Sequence, residues 1–395
     1  MDIKSAVKTA EKEFYWLHQH PELSGQEFAT TDELKRVLRN NNIEIYPLPL
    51  ATGLVAKIAG KKTGPVVGLR CDIDALPMEE KTDLAYRSCV SGVMHACGHD
   101  FHASTLLGVA LALADKPLEY GTIKLIFQPG EENASGAKQI LATGILGDVD
   151  VIFGLHCCAA YDKGTIICRP GAMHGSVDSF KLTFHGKGAH ACRPHFAIEP
   201  ILMIAQYVTA AQALISRSMN PFHSAVLSIC HIESGSCANI IPEEGVVEGT
   251  LRTTSAEDRV NLKDKILKLG QGIADSYGGE FSYEWESGPP STNNTAEWAE
   301  FAKEKALELR LPFAEAPDSL AGEDFAYYQE KLQGAFIQIG TGIGPMMHNP
   351  NFKADPLALE HSITFGVKLV LDALEKIQNE RIAKDDRIFS GHEGF

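Results

Sequence analysis

The sequence lacks several features that would assign it to a common class of protein. Nine cysteines occur among 395 residues, but the number is odd and no C-x-x-C pair is present, which argues against a disulfide framework. Basic residues are in deficit, because 36 Lys and Arg face 51 Asp and Glu, giving a net charge of -15. No basic block offsets that charge, so nucleic acid, itself a polyanion, is not expected as a partner.

Long apolar runs are also missing. No stretch approaches the roughly 18 apolar residues that a membrane span needs. The N-terminal segment is a charged amphipathic pattern and lacks the order of a signal peptide, a basic stretch followed by an apolar run. We therefore expect a cytoplasmic protein without a membrane span. Hydrophobic residues make up 44% of the chain, enough for a full core in one large domain or two ordinary ones.

The hydrophobic pattern of the two ends of the chain predicts an α/β domain. Apolar runs typical of buried strands occur at 54–58, 66–70, 123–127, 151–155 and 335–339, and helical patterns occur at 3–19, 26–40, 101–114 and 357–377. Strands that alternate with helices in this way predict a mostly parallel sheet with helices on both faces.

The middle of the chain has a different order. Strands are predicted at 179–184, 225–232, 246–253 and 280–285, and helices at 196–216 and 256–277. This β-α-β-β-α-β order is typical of a ferredoxin-like α+β sandwich. We therefore expect a domain at 177–289, inserted into a larger domain formed by 1–176 and 290–395.

Polar side chains follow four of the strands predicted in the larger domain. These residues are Asp72, Asp74, Glu131, Glu132, His156 and His348. The stretch MHACGHDFHAS, residues 94–104, adds Cys97, His99, Asp100 and His102 between two of these strands. Because ligands bind just outside the carboxyl ends of the strands in open α/β sheets, we expect these side chains to meet at one edge.

This collection of side chains predicts a metal site. Thiolate and imidazole suit zinc, and imidazole with carboxylate suits zinc or manganese. A cation would also offset the repulsion among the neighbouring carboxylates. The donors outnumber those that one tetrahedral ion can use, which favours a centre with two metal ions. Taken singly, each residue has an ordinary structural alternative, such as a buried thiol or a solvated glutamate pair.

The sequence resembles the M20 metallopeptidase and aminoacylase group, in the amidohydrolase branch that contains hippurate hydrolases, auxin–amino acid conjugate hydrolases and N-acetyldiaminopimelate deacetylases. The matching stretches are HQHPELSGQEF, LRCDIDALPMEE, MHACGHDFHAS, FQPGEE, GLH, GKGAHACRPH, SGSCANIIPEE, EGTLRT, AGEDFAYY and MHNPNF. They follow the expected order over nearly the whole chain. HACGHD followed by PGEE is the specific part of the pattern, whereas GLH alone is weak.

The resemblance implies a di-metal exopeptidase-like fold and a role for each site residue. Two divalent ions, zinc or manganese with cobalt and nickel as further candidates, would be held by Cys97, His99, Glu132, His156 and His348. Glu131 corresponds to the general base of the family. From the chemistry of such sites, we expect Asp74 to orient a metal ligand by hydrogen bonding.

The resemblance also implies that the inserted domain is a lid and dimer interface. His190 would reach the active site of a second subunit in a homodimer or larger assembly and polarise the scissile carbonyl. Asn239 is a candidate contact to the substrate. Arg252 is expected to hold a substrate carboxylate, because arginine binds that group with two hydrogen bonds; a surface salt bridge is its alternative role.

Some positions depart from the pattern usual in the family. Cys71 stands in place of alanine, and Cys157 and Cys158 replace bulkier residues. Ala189 replaces a glycine, and Met347 replaces a leucine. None of these changes removes a ligand, but they leave the shape of the pocket and the preferred acyl group open.

The predicted reaction is hydrolysis of an N-acyl amino acid to a carboxylic acid and a free amino acid, by metal-activated water with Glu131 as base. A dipeptidase, a carboxypeptidase or a carbamoyl-amino-acid hydrolase is the alternative on the same scaffold. A metal-stabilised binding protein without turnover is disfavoured, because a base stands beside a complete ligand set. A serine hydrolase is disfavoured by the lack of a G-x-S-x-G turn.

Overall fold

The computed structural model describes residues 2–390. The chain forms two compact units. The first unit contains the chain up to Gly171, Asn293–Pro317 and the chain from Tyr327 onward, and the second contains Ala172–Thr292 and Asp318–Ala326. No helix among the described residues is both long enough and apolar enough to cross a membrane.

The strands are β1 (Glu44–Ile45), β2 (Leu54–Ala59), β3 (Lys62–Asp72), β4 (Tyr120–Gln128), β5 (Val151–Cys158), β6 (Ile166–Cys168), β7 (Gly171–His174), β8 (Ser176–His185), β9 (Ala189–His190), β10 (Ala225–Ser234), β11 (Ile240–Ile241), β12 (Glu244–Thr253), β13 (Glu280–Ser287), β14 (Thr292–Asn294), β15 (Phe313–Glu315) and β16 (Gly334–Gly340). The α-helices are α1 (Ile3–Gln19), α2 (Phe28–Asn40), α3 (His99–Ala114), α4 (Gly136–Ala142), α5 (Pro200–Ser218), α6 (Ala256–Tyr277), α7 (Ala296–Glu308), α8 (Ala326–Gln329) and α9 (Leu359–Ser390). Two 3₁₀ turns occur at Pro194–Phe196 and Pro356–Ala358.

The first unit is built on a mixed eight-stranded sheet in the order β1-β2-β4-β3-β5-β16-β6-β15. The four central strands, β4, β3, β5 and β16, run parallel to one another. On one side of them β2 is antiparallel to β4 and β1 is antiparallel to β2, and on the other side β6 is antiparallel to β16. The sheet is therefore mixed, and its parallel strands lie in the middle. The sequence pattern predicts a mostly parallel sheet, which describes these central strands but not the edges.

Helix α3 packs in the interior of the first unit, between α1, α9 and strand β3. It is apolar on nearly all sides, as expected for a helix surrounded by protein, and His99 to Leu113 are all buried. Gly108 permits the close approach of α9, because a Cβ at this position would lie 2.2 Å from Cδ1 of Ile363. The polar first turn of α3 is thereby held inside the unit.

The second unit has its own sheet and core. Strands β8, β10, β12 and β13 form an antiparallel sheet in the order β10-β12-β8-β13. Helices α5 and α6 pack against this sheet. Every second residue of β8, Phe180, Leu182 and Phe184, is buried in the core of this unit. Tyr207 of α5 and Ile266 of α6 belong to the same core. Along the chain these elements follow the order β-α-β-β-α-β.

Several elements differ from the sequence prediction. Helix α5 begins at Pro200, because the preceding residues form a separate 3₁₀ turn, and α9 begins at Leu359 and extends to Ser390. Helix α7 and the short strands β1, β6 and β15 were not predicted. The strands have only two or three residues each, too few for alternation to be recognised, whereas α7 does carry an apolar stripe, with Trp298, Phe301 and Ala302 buried.

Candidate metal centre

The polar residues that follow the parallel strands lie at one edge of the main sheet. Asp72 is the last residue of β3, Glu131 and Glu132 follow β4, and β5 carries His156 near its end. These strands are parallel neighbours in the order β4-β3-β5. Their carboxyl ends therefore deliver these side chains to the same edge.

Gly98 fixes the point at which α3 begins. It has a left-handed φ of +81°, and a Cβ on it would lie 2.5 Å from Sγ of Cys157. Glycine meets both conditions without strain. The turn before α3 consequently brings Cys97 and His99 against the end of β5.

Several overlapping groups of three side chains have donor atoms within 4.8 Å of one another. Three of these groups contain the predicted residues: Cys97 with His99 and His156, Cys97 with Glu132 and His348, and His99 with Glu131 and Glu132. Sγ of Cys97 is 3.6 Å from Nε2 of His156, and Oε1 of Glu132 is 3.5 Å from Nε2 of His348. The structure thus brings the five predicted ligands and the predicted base into one cluster.

Hydrogen bonds set the orientation of two histidines in the cluster. Nδ1 of His99 donates to Oδ1 of Asp74 at 3.1 Å, and Nδ1 of His156 donates to the carbonyl of Cys157 at 2.7 Å. Each ring is therefore held through Nδ1 and directs its Nε2 into the cluster. Histidines that bind metal ions are oriented in this way by their outer hydrogen bonds.

Two buried atoms of the cluster have no hydrogen-bond partner within residues 2–390. They are Nε2 of His99 and Oε1 of Glu132. Leaving a buried polar atom unpaired costs about 1–3 kcal/mol. A divalent cation would satisfy both atoms, and the thiolate, imidazole and carboxylate donors suit zinc or manganese. The residues present therefore fit a metal centre.

The electrostatics of the cluster also favour a cation. The Glu132 carboxylate, 3.5 Å from Nε2 of His348, raises the pKa of His348. Burial disfavours the charged form of His99, but Asp72, Cys97 and Asp74 together outweigh burial and raise the pKa of this imidazole. The cluster consequently attracts positive charge.

Two further residues of the MHACGHDFHAS stretch have other partners. His102 donates from Nδ1 to Asp72 at 2.5 Å and accepts the N–H of Cys157 on Nε2 at 2.7 Å. Burial lowers the pKa of His102 to about 3, so its ring is neutral. Asp100 accepts a hydrogen bond from Nδ1 of His18 at 2.6 Å. His102 and Asp100 therefore support the surrounding structure, with their polar atoms already paired.

His348 approaches the cluster on the loop that follows β16. Its backbone has a left-handed φ of +61°, a conformation that few residues other than glycine adopt. Its N–H donates to the carbonyl of Ala96 at 2.8 Å, which places it beside Cys97. The side chain is 56% exposed, so this part of the cluster is open to solvent in the first unit.

The remaining predicted residues belong to the second unit. His190 on β9 pairs with Ile240 on β11, and the N–H of Ala191 donates to the carbonyl of Asn239 at 3.0 Å, so His190 and Asn239 lie close together. Arg252 is on β12, and its Nη1 donates to the carbonyl of Leu320 at 3.2 Å.

The sequence matches the profile of Peptidase family M20/M25/M40 over residues 68–376. The chain belongs to this family. The resemblance described from the motifs is thereby confirmed. The M20 fold has a mixed sheet with helices on both sides, which agrees with the architecture of the first unit.

Two relatives carry informative names. The N-acetylcysteine deacetylase of Bacillus subtilis is 40% identical over 364 residues, which cover 92% of this chain and 96% of the relative. Thermostable carboxypeptidase 1 of Saccharolobus solfataricus is 37% identical over 330 residues, which cover 82% of this chain and 84% of the relative.

A solved structure of this M20 group is also similar. The YXEP protein of Bacillus subtilis, described as a dinuclear metal binding peptidase from the M20 family, has 37% sequence identity and a TM-score of 0.86. The similarity covers 95% of this chain and 99% of that chain.

Two residues that support the cluster were not predicted from the sequence. Ser24 and Glu27 hydrogen-bond to Asp74 and to the loop before Glu131. Both lie in HQHPELSGQEF, a stretch that carried the family resemblance without a role for its residues. The motif therefore pointed to this stretch as part of the site. It did not reveal the partners of Ser24 and Glu27, because those partners lie far away in the sequence.

Proposed function

We propose that this chain is a metal-dependent amidohydrolase that cleaves N-acyl amino acids to a carboxylic acid and a free amino acid. The observation that carries the proposal is Glu131, which lies with His99 and Glu132 in the donor cluster but is not needed to complete the ligand set. The similarity to an N-acetylcysteine deacetylase over nearly the full length of both chains supports this class of substrate.

Two divalent cations, zinc or manganese with cobalt and nickel as further candidates, fit the five ligands Cys97, His99, Glu132, His156 and His348. When bound there, the ions would supply Lewis-acid chemistry, which would polarise the scissile carbonyl and lower the pKa of a water molecule to about 7. Asp74 holds the His99 ring through Nδ1 and leaves Nε2 facing the ligand cluster.

Glu131 is the general base and then the general acid in this proposal. Its carboxylate takes a proton from the attacking water and gives it to the nitrogen of the leaving amino acid. Proton transfer of this kind contributes about a hundred- to ten-thousand-fold to the rate. The rigid backbone on both sides of Glu131 suits this role, because Gly130 and Glu132 each donate an N–H to a buried carboxylate.

In this proposal, residues 177–289 of the second unit form a ferredoxin-like domain, which acts as the lid and dimer interface. The strand order β10-β12-β8-β13 with two helices supports the ferredoxin-like fold in this proposal. His190 accepts the N–H of Cys192 on Nδ1 at 3.2 Å, so its exposed ring carries a proton on Nε2. That N–H suits stabilisation of the oxyanion, and Asn239 and Arg252 hold the substrate.

A carboxypeptidase is the second candidate, because a relative with that name is 37% identical. Both reactions break an amide bond next to an amino acid, so the same cluster serves either. The deacetylase is the more similar relative and covers more of the chain, which favours the N-acyl substrate. Comparison of N-acetyl, N-benzoyl and indole-acyl amino acids with dipeptides decides between them by kcat/KM.

The substitutions Glu131→Gln and Glu132→Gln test the proposal as a matched pair. E131Q should retain the metal content of the wild type and lose about a hundred- to ten-thousand-fold in turnover of an N-acyl amino acid. E132Q should lose metal affinity as well, because it removes a ligand. Turnover by E131Q at the wild-type rate would remove Glu131 from the mechanism.

A further inference from the structure

Glu27 is a buried carboxylate outside the donor cluster. Its exposure is 0%, and burial raises its pKa. Oε1 accepts the N–H groups of Gly25 at 2.9 Å and Gly130 at 2.8 Å, and Oε2 accepts the hydroxyl of Thr52 at 2.7 Å. All three donors are neutral, and they come from three separate segments of the first unit.

The contact with Gly130 fixes the start of the loop that carries Glu131. The two partners, Glu27 and Gly130, are 103 residues apart in the sequence. Gly130 has a left-handed φ of +57°, and its carbonyl accepts the N–H groups of Ser135 and Gly136 at 3.1 and 3.0 Å. Gly130 is therefore held through both its N–H and its C=O.

A second buried carboxylate holds the other side of Glu131. Oδ2 of Asp74 accepts the N–H of Glu132 at 3.0 Å and the hydroxyl of Ser24 at 2.6 Å. Ser24 lies in the turn that leads into Glu27. The two residues that flank Glu131 in the chain thus each donate an N–H to a carboxylate, and the segment 24–27 contributes to both contacts.

We propose that Glu27 is a positioning residue that fixes the loop carrying Glu131, an inference that rests on the proposed function. Without the bond to Gly130, the first anchor of the loop is lost and the carboxylate of Glu131 can shift. A displacement of about 1 Å in a reacting group lowers the rate by about a hundredfold.

The geometry indicates that the length of the Glu27 side chain is what holds the loop, and that its negative charge is not needed for these hydrogen bonds. Both backbone N–H groups bond to Oε1, whereas Oε2 bonds to a hydroxyl, which can either donate or accept. Glutamine can keep all three bonds, with its amide nitrogen donating to Thr52. Aspartate keeps the charge but is one methylene too short to retain the bond to Gly130.

Glu27→Gln and Glu27→Asp therefore form the decisive pair. E27Q should keep a kcat close to that of the wild type. E27D should lower kcat on an N-acyl amino acid by about ten- to a hundredfold with little change in KM, because the base is misplaced while substrate binding is retained. The reverse order, with E27D active and E27Q impaired, would assign the role to charge and overturn the inference.

Glu22→Asp is the matched control for a general loss of stability. The Glu22 carboxylate accepts the N–H groups of Ala29 and Thr30 at 3.1 and 2.8 Å, both on α2 and neither in the loop of Glu131. E22D should lower the melting temperature and leave kcat unchanged. A loss of kcat in E22D equal to that in E27D would assign the effect to stability.

The double variant E27D/E131Q separates positioning from a general structural defect. If Glu27 acts through Glu131, the double variant should turn over no more slowly than E131Q alone. A further loss of the size seen for E27D in the wild type would contradict the proposal. Wild-type protein that does not hydrolyse N-acyl amino acids would refute the proposed function, whereas active wild type with an equally active E27D would refute only the role of Glu27.

Discussion

Asp74→Asn is a perturbation whose effect follows from the contacts of one side chain. Oδ1 of Asp74 accepts from Nδ1 of His99, and Oδ2 accepts from the N–H of Glu132. Asparagine replaces one of these oxygens with an NH₂ group. If that group faces His99, the ring must move its proton to Nε2, the atom that would bind the metal ion. If it faces Glu132, two donors meet.

Either arrangement disturbs one metal ligand. Loss of such an outer hydrogen bond costs about 10- to 100-fold in metal affinity, equivalent to about 1.4–2.8 kcal/mol. D74N should therefore bind zinc or manganese about 10- to 100-fold more weakly than the wild type, measured at fixed pH by competition with a chelator.

Asp178→Asn is the matched control. Asp178 is equally buried and accepts hydrogen bonds from Arg259 and Trp285 in the core of the second unit. D178N should lower the free energy of unfolding and leave metal affinity unchanged. A D74N protein with wild-type metal affinity would refute the role given to Asp74.

Two further predictions concern the proposed dimer and the pH dependence of stability. If His190 completes the site of a second subunit, a mixture of inactive H190A and E131Q proteins should regain activity after subunit exchange, and a mixture that remains inactive would argue against a shared site. Burial lowers the pKa of His18, but its interactions with Asp100 and Glu80 outweigh burial and raise the pKa to about 9. The stabilisation of the folded protein by His18 is therefore full below the pKa of an unfolded histidine, about 6.5, and is lost as the pH rises through about 9. The difference in unfolding free energy between wild type and H18Q should shrink over that range, and a difference independent of pH would contradict this assignment.

The position of the cluster could be predicted from the sequence because Glu131, Glu132 and His156 stand directly after apolar runs that indicate strands. The apolar runs before Asp72, Glu131 and His156 identify buried strands, and parallel neighbours must deliver these residues to one edge. Cys97 and His99 followed from the density of ligand-type residues in one short stretch.

The supporting contacts could not be predicted in the same way. The bond from Glu27 to Gly130 spans 103 residues, and the bond from Ser24 to Asp74 spans 50. No local period of hydrophobicity encodes such pairs, since they depend on how separate segments fold together. Strand β1 could not be predicted for a different reason, because its two residues are too few to show a pattern of hydrophobicity.

The most direct test of the account is elemental analysis of purified protein that hydrolyses an N-acyl amino acid, with a chelator titration of the same sample. We expect two divalent transition-metal ions per chain, and activity that is lost on chelation and restored when zinc or manganese is added. Full activity in protein that contains no such metal would contradict the assignment of Cys97, His99, Glu132, His156 and His348 as ligands.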